Sequence, residues 1–547
     1  MGEPDRPLEG PVIGRRKFLT GLAALGVVGS ASALLGACGG TTPAGSPGTR
    51  AATKTLSVGV FQNPDSLDPG QTGLITVSQI LFTIFDPLVW KFPNDRTYYP
   101  GLAESWTISS DAETYTFKLR KGVTFQDGTP FNAAAVKATF DHIVDPATKS
   151  LSAIGSLGPY DRTEVVDNYT AKVVFRSPNA AFINEVTNAT LGISSPTALQ
   201  KYGSGYSKHP VGTGPFMFES FVNDEEVRVT KFEKYSWAPT PLGTGAAKLG
   251  GITFRILPDP SSQADALDTG EIQIAQNLNP GDVNTAVSAG KRKLTALSTG
   301  MPYCIMVNAQ KPPTDELAVR QALEYATDNK AIVDTLFQGL YQPADSLLTP
   351  LTPGYSSSDA IFHYDKARAA SLLNSAGWTM GSNGLRSRGG KQLSLEFINI
   401  ANFGFDGISQ ILQAQWKEVG IATTITDQAF PSVAATYNQG KQNLADWFYY
   451  DVDPYLLNTV FNSAQIKNGF NWEHYANLAV DSTIAAANAD TNTASRTNKY
   501  QKIALELMQS ATIIPIYNLE SILVTEPAVK GVRFSLTAQP LFHAVSF

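Results

Sequence analysis

Cysteine is nearly absent from this chain: 547 residues hold only Cys38 and Cys304. Two thiols build no disulfide framework, so a small cross-linked scaffold is excluded. Histidine is almost as scarce. His142, His209, His363, His474 and His543 are scattered, with no HExxH pair and no Cys/His spacing that would ligate a metal. Glycine is plentiful, yet no GxGxxG, GxxxxGK[ST] or GxSxG arrangement occurs, which removes the usual nucleotide loops and the hydrolase elbow. No basic patch and no sustained low-complexity tract is present. The formal net charge is -6; Arg6, Arg15, Arg16 and Lys17 against Glu3, Asp5 and Glu9 give the first 37 residues +1, so the remainder carries -7. A mildly acidic body is a poor partner for nucleic acid. Neither a cofactor nor a resident metal is expected.

Of the enzymatic motifs sought, only Ser288-Ala-Gly-Lys291 matches anything, the SxxK pair of penicillin-recognising serine enzymes. Its KTG companion is missing and the match sits in a polar, glycine-bearing run. A secreted serine hydrolase using Ser288 and Lys291 is therefore the remote alternative, and no catalytic residue is assigned.

What is present begins with an address. Gly14-Arg15-Arg16-Lys17-Phe18-Leu19 is a twin-arginine export signature, followed by a modestly apolar segment from Leu19 to Leu35. That segment is too short and too rich in Gly, Ala, Ser and Thr to read as a membrane span. It ends in Leu35-Gly36-Ala37-Cys38, which resembles the lipobox of bacterial lipoproteins. The resemblance implies cleavage before Cys38 and a lipid on its thiol; the alternative is an uncleaved N-terminal anchor with an incidental cysteine. Gly39 to Arg50 (GGTTPAGSPGTR) reads as a flexible tether. Cys304 is left without a partner, in an apolar run from Tyr303 to Val307 that reads as a buried strand.

The body is too long for one hydrophobic core, and two or three domains are expected. Its strands and helices alternate, the pattern of an α/β chain. Leu56 to Phe61 alternates as a first strand, and Thr76 to Phe85 is apolar enough for a buried helix. Tyr115, Phe117 and Leu119 alternate with polar residues, Val123 to Phe125 reads as a short second strand, and Asp127-Gly128 signals a turn. Asn132 is placed to cap a helix with Val136, Phe140 and Ile143 on one face. Val211-Gly-Thr-Gly-Pro215 reads as a tight backbone turn. Further strands are expected at 169–175, 228–232, 252–256, 271–275, 303–308 and 393–400. Further helices are expected at 261–268 (capped by Ser261), 314–326, 367–376 (ended by Gly377) and 408–419 (stopped by Gly420).

The wording of the stretch from Pro100 to Ile143 resembles the opening module of the extracytoplasmic peptide/nickel-type solute-binding proteins of ABC importers, family 5. Leu67-Asp68-Pro69, Phe85-Asp86-Pro87-Leu88-Val89, Val211 to Phe216, Val319-Arg-Gln-Ala-Leu323, Asp453-Pro454 and Ile513-Ile-Pro-Ile-Tyr517 follow in register with that family. The resemblance covers nearly the whole chain after Lys54. It implies a type II periplasmic-binding-protein fold of the large, three-domain class, in which two α/β lobes close on a cleft beside an extra domain. Carried over, the boundaries are a signal peptide at 1–37, the lipidated cysteine and tether at 38–53, a discontinuous lobe I at 54–86, 211–305 and 510–547, the extra domain at 87–210, and lobe III at 306–509. The implied partners are a small solute, an ABC permease with its ATPase, and the membrane through the lipid anchor. The protein is expected to be a monomer on the outer face of the membrane.

For the ligand site, the richest stretch is Asp446-Trp-Phe-Tyr-Tyr-Asp-Val-Asp-Pro454. As a strand it turns Trp447 and Tyr449 to one side and Phe448 and Tyr450 to the other. Peptide binders of the family carry an aspartate before the DP pair that takes the peptide's amino group. Here the corresponding position is Tyr450, and Asp451 is one residue nearer, so Asp451 serves only if the backbone bulges. Dipeptide-binding relatives hold the ligand's carboxylate with an arginine before the Trp416 helix; Asn399-Ile-Ala-Asn-Phe403-Gly-Phe405 has no basic residue. The absence favours longer peptides, or uncharged cargo, over strict dipeptides; an oligosaccharide, a metal chelate or haem are the alternatives. Asn399, Phe403, Tyr303, Asn308, Asn471 and Trp472 complete the expected lining; a hinge role is the alternative for Tyr303 and Asn308, and a capping and packing role for Asn471 and Trp472.

Overall fold

The computed structural model describes residues 54–401, 406–467 and 469–547. Cys38 and the rest of the N-terminal segment lie outside the described residues, as does Phe403. Among the described residues no helix is long and apolar enough to cross a membrane.

Three sheets, each with its own apolar core, organise the body. In the first, seven strands lie in the order Arg292–Leu297, Glu520–Thr525, Ile274–Gln276, Thr55–Val60, Gly251–Ile256, Glu226–Lys231 and Phe216–Val222. The strand Thr55–Val60 runs parallel to both neighbours and buries Leu56, Val58 and Val60. Against this sheet packs the helix Ser78–Ile84 (SQILFTI), which carries no charge and is buried at every position. Its carbonyl end explains the Val211–Pro215 segment. A Cβ on Gly212 would sit 2.2 Å from the Ile84 carbonyl oxygen, and one on Gly214 would sit 2.6 Å from the Ile84 carbonyl carbon. The missing side chains let that backbone lie on the helix end, where Gly214 N–H donates to Ile84 at 2.8 Å. Asp86, just beyond the helix, is wholly buried. It accepts from Thr213, Tyr235 and Trp237 at 2.9–3.0 Å, and burial still pushes its carboxyl up to about 6.

The second sheet is four-stranded and antiparallel, in the order Ala103–Ile108, Thr114–Leu119, Thr170–Phe175 and Tyr160–Asp167. Tyr115, Phe117 and Leu119 point into its core as their alternation requires. The helix Ala133–Val144 lies across it, capped by Asn132, which accepts from Ala135 N–H, with Val136, Phe140 and Ile143 buried. The expected strand at 123–125 does not form. Thr124 makes one isolated bridge to Pro130, which has no N–H to extend a ladder, and the segment is held as a turn by Phe125 N–H on Thr129. The cap at 261 also shifts: Asp259, not Ser261, accepts from Ser262 N–H, and the helix Pro260–Asp268 begins on the proline.

The third sheet has five strands in the order Ala422–Gln428, Ser394–Ile400, Leu444–Tyr450, Gly300–Val307 and Ile513–Tyr517. Gly300–Val307 is buried along its entire length, and Cys304 is a core thiol within it, raised in pKa by burial. Helices Leu317–Tyr325, Lys366–Ser375 and Asp406–Glu418 are associated with this sheet; Gly377 and Gly420 follow the last two in the left-handed conformation that ends a helix. Two short segments join the first sheet to the third. One runs from Leu297 to Gly300 and the other from Tyr517 to Glu520, and Ser298 N–H donates to the Leu519 carbonyl at 2.9 Å, so the crossings lie side by side.

Candidate functional site

Strand Leu444–Tyr450 delivers its C-terminal end beside the first of these crossings. It pairs antiparallel with Gly300–Val307, setting Trp447 opposite Cys304, Tyr449 opposite Met301 and Tyr450 opposite Gly300. A Cβ on Gly300 would lie 2.1 Å from the Tyr449 carbonyl oxygen, and its φ is +124°, so only glycine lets the two backbones meet there. Beyond Tyr450 the chain leaves the strand and turns through Asp451–Pro454.

Period-2 geometry then separates the aromatics into two groups. Trp447 is stacked between Phe430 (centroids 5.8 Å) and Phe470 (5.6 Å), and Tyr449 meets Phe470 edge-on at 5.8 Å. The Trp447 indole is 8% exposed, and its Nε1 has no hydrogen-bond partner among the described residues. Tyr450 lies on the other side, toward Tyr341, which packs on Tyr517 at 5.2 Å; Tyr303 stacks on the same Tyr517 ring at 5.2 Å.

Asp451 is half-buried, one residue past the strand, and accepts from Asp453 N–H at 3.0 Å. Leaving the strand frees it from the alternation that would have sent it to the far face, and it interacts with Tyr449. Its neighbour is Glu185, at the end of the short helix Phe182–Glu185 that packs in the core of the four-stranded sheet. Burial raises both carboxyls, and the Asp451 charge raises Glu185 further. Ser156 lies near Glu185, and Tyr455 near both acids.

The same interface carries a second polar contact. Asn184 Nδ2 donates to Asp453 at 2.5 Å, while Lys91 and the Tyr98 hydroxyl donate to Asn184 Oδ1 at 3.0 and 2.6 Å. Asp453 is also gripped by Arg496, and Ala180 N–H donates to the Asn488 carbonyl at 2.8 Å. Glu185 and its neighbours were not marked by sequence reasoning. The available signal was an unpaired acid inside the otherwise uncharged run Ala180–Val186, but its partner belongs to a distant part of the chain.

The remaining expected residues divide clearly. Asn471 is wholly buried and spends its side chain on the Phe461, Asn462 and Tyr475 carbonyls, all within 3.3 Å. Trp472 is 1% exposed and donates to Asn438 at 2.9 Å; it backs Trp447 edge-on at 4.5 Å. Both pack and cap instead of facing a cleft. Asn308 is also buried, accepting from Gln310 and Lys311 N–H and donating to Gln442, which makes it a turn organiser. Asn399 is buried on the helix side, donating to Ser409 at 2.9 Å beside an open polar groove between helix Asp406–Glu418 and strand Ala422–Gln428. Ser288 and Lys291 are not partners: the serine hydroxyl bonds Asn284, and the lysine pairs with Glu526 at 2.7 Å. No group of three or more His, Cys, Asp or Glu able to hold a metal exists among the described residues.

A sequence profile of the bacterial extracellular solute-binding proteins, family 5, matches residues 97–472. The chain belongs to this family. Glutathione-binding protein GsiB of Shigella flexneri is 32% identical over 510 residues, covering 91% of this chain and 92% of that protein. Among solved structures, NikA from Brucella suis in complex with Fe(III)-EDTA superposes with a TM-score of 0.79 at 24% identity, covering 90% of this chain and 99% of that one. DppA from Helicobacter pylori in complex with peptide STSA superposes at 0.73 and 23% identity, covering 90% and 98%. The fold is that of the type II periplasmic-binding proteins. A family 5 protein is an extracytoplasmic solute-binding receptor of an ABC importer, working with a membrane permease and an ATPase.

Proposed function

We propose that this family 5 receptor captures peptides with a free amino group, longer peptides in preference to strict dipeptides, and passes them to its permease. The observation that carries the reading is Asp451: a half-buried acid at the end of an aromatic-faced strand, beside the crossings between two sheets. An ammonium seated on such a carboxylate gains a charge-assisted hydrogen bond of about 1.5–3 kcal/mol. Tyr449, Phe470 and Trp447 extend the wall away from it, and the unpartnered Trp447 N–H offers a donor for a backbone carbonyl. The similarity to a protein named for glutathione binding, itself a peptide with a free amino group, points the same way. We further propose that Cys38 carries the lipid that tethers the receptor outside the cell after twin-arginine export.

The test is a calorimetric and Trp-fluorescence titration against reduced glutathione, trialanine, tetraalanine, maltotriose and Fe(III)-EDTA. Micromolar binding, about -8 kcal/mol, is expected for one or more of the peptides, with Trp447 emission changing on binding. Binding of maltotriose or the chelate alone overturns the peptide reading. For the anchor, Cys38→Ser is expected to release the protein from cells into the medium.

A further inference from the structure

The chain from Gly300 to Tyr517 builds the five-stranded-sheet part, and only the crossings at 297–300 and 517–520 join it covalently to the other two sheets. The four-stranded-sheet part is bonded to the seven-stranded one. Gln126 Nε2 donates to the Ile84 and Phe216 carbonyls at 2.9 and 2.8 Å, and its Oε1 accepts from Gly212 N–H at 3.1 Å. A rotation about the two crossings, the movement by which a two-lobed receptor closes, therefore makes or breaks the contacts between the four-stranded-sheet and five-stranded-sheet parts. These contacts include Asn184 Nδ2 on Asp453 at 2.5 Å and Ala180 N–H on the Asn488 carbonyl at 2.8 Å, with all three side chains at the first contact and its anchor buried: Asn184, Asp453 and Arg496. Each side is firmly held. Phe182, two residues before Asn184, packs on Tyr115 and Phe175 with ring centroids at 5.0 and 4.7 Å. Asp453 is held by both terminal nitrogens of Arg496 and by Tyr455 N–H at 2.8 Å. Its charge thus stays paired when Asn184 withdraws, so the contact can be made and broken without stranding an ion. An amide suits the junction because it donates and accepts at once. Asn184 Oδ1 takes Lys91 and the Tyr98 hydroxyl while Nδ2 turns to the acid. Asp453 N–H in turn donates to Asp451 at 3.0 Å, so whatever fixes Asp453 also fixes the direction of Asp451.

We propose that Asn184 is a positioning residue for solute capture, a reversible clasp through which the four-stranded-sheet part holds the closed form and aims Asp451. The clasp needs closure on a solute and no particular solute, so it stands apart from the peptide reading above. A hydrogen bond made only in the closed form stabilises that form alone. It therefore slows the release of solute and leaves capture, which begins from the open form, at the same rate.

The experiment is amide hydrogen exchange of the full chain, read by mass spectrometry over residues 180–186, with stopped-flow Trp fluorescence for the rates. Trialanine, reduced glutathione, maltotriose and Fe(III)-EDTA are the probes. Ala180 N–H exchanges only while its bond to Asn488 is open. In the wild type, exchange there is expected to slow when a probe is bound, while strand Thr114–Leu119 exchanges as before. Asn184→Ala is expected to speed exchange at Ala180 with and without a probe. It is also expected to raise the dissociation rate about tenfold, the loss of one hydrogen bond to a charged group, at an unchanged association rate. Asn184→Asp, which turns an acceptor toward Asp453, is expected to have the larger effect on dissociation. Exchange at Ala180 that ignores a bound probe shows a permanent contact and overturns the proposal, as does wild-type dissociation from Asn184→Ala. Faster exchange throughout the four-stranded sheet in Asn184→Ala marks a folding role and also overturns it. If no probe binds, the ligand-free comparison decides, and equal Ala180 exchange in wild type and Asn184→Ala overturns the clasp. Binding of maltotriose or the chelate alone overturns the peptide reading and leaves the clasp to be judged on the same rates.

Discussion

Arg496 grips Asp453 through both terminal guanidinium nitrogens, at 2.8 and 2.5 Å, and the aspartate has no exposed surface. The aspartate of the DP pair thereby has a structural role, tying the turn after strand Leu444–Tyr450 to helix Thr493–Gln509 and, through Asn184, to the four-stranded-sheet part. Removing one partner of a buried pair strands the other's charge, which costs about 3–5 kcal/mol. Arg496→Met is expected to lower stability to urea by that amount. It is also expected to weaken peptide binding, because Asp451 is bonded to the Asp453 backbone. Arg496→Met with wild-type stability would show that Asp453 is neutralised by another group.

The Val211–Pro215 turn gives a test of backbone approach. Gly212→Ala would place a methyl 2.2 Å from the Ile84 carbonyl oxygen, with backbone that cannot swing aside. A loss of about 3 kcal/mol or more is expected, at the upper end for overpacking. Gly205 is the control, since nothing lies within 4 Å of its would-be Cβ and its φ is not positive. Gly205→Ala is expected to be neutral or to stabilise by about 0.4–1 kcal/mol through the unfolded chain. Equal midpoints for the two variants in thermal melts would contradict this reading.

Local patterns were legible from sequence wherever the reason for a residue lay nearby. The alternation at Tyr115–Leu119, the cap at Asn132 and the stops at Gly377 and Gly420 all act within a few residues. Asp451 was legible too, but its aim was not, because one slipped residue reverses a side chain on a strand and means nothing once the strand has ended at Tyr450. Asn471, Trp472 and Asn308 were read as lining residues because polar and aromatic side chains look alike in a cleft and in a core. What distinguishes them is a set of carbonyls supplied by other turns and strands, such as Gln442 for Asn308. Glu185 was missed for the same reason, its partner being contributed by a different sheet.

Asp446 supplies a prediction in pH. It is wholly buried on strand Leu444–Tyr450, and burial lifts its carboxyl to about 7 despite hydrogen bonds from Tyr437 and Ile400 N–H. In the unfolded chain it titrates near the ordinary value of about 4. Between those values the folded state binds the extra proton, so the stabilisation is complete below about pH 4 and is lost as pH rises through about 7. Each pH unit in that window costs about 1.4 kcal/mol from this group. Asp86, raised to about 6, adds a smaller contribution of the same sign. Asp446→Asn is expected to flatten the fall in urea midpoint between pH 4.5 and 7.5, and an unchanged slope would mean that Asp446 is ionised in the fold.

Glu473 is the sharper case of a buried acid. It has no exposed surface, neither carboxyl oxygen has a hydrogen-bond partner among the described residues, and burial raises its pKa well above the usual range. It lies within electrostatic range of the Cys304 thiol, whose pKa burial also raises. The residue is thus a protonated acid in an apolar setting, costing desolvation without the return that a paired group receives. Methionine has similar length and no polar oxygen, and the Glu473 carbonyl that accepts from Ala309 N–H is untouched by the change. Glu473→Met is therefore expected to stabilise the protein by about 1–3 kcal/mol at pH 4.5, with a larger gain at pH 7.5, where ionisation of the unfolded acid opposes folding. Measured by urea unfolding at the two pH values, destabilisation at both would show that the carboxyl is satisfied in solution, most simply by a buried water.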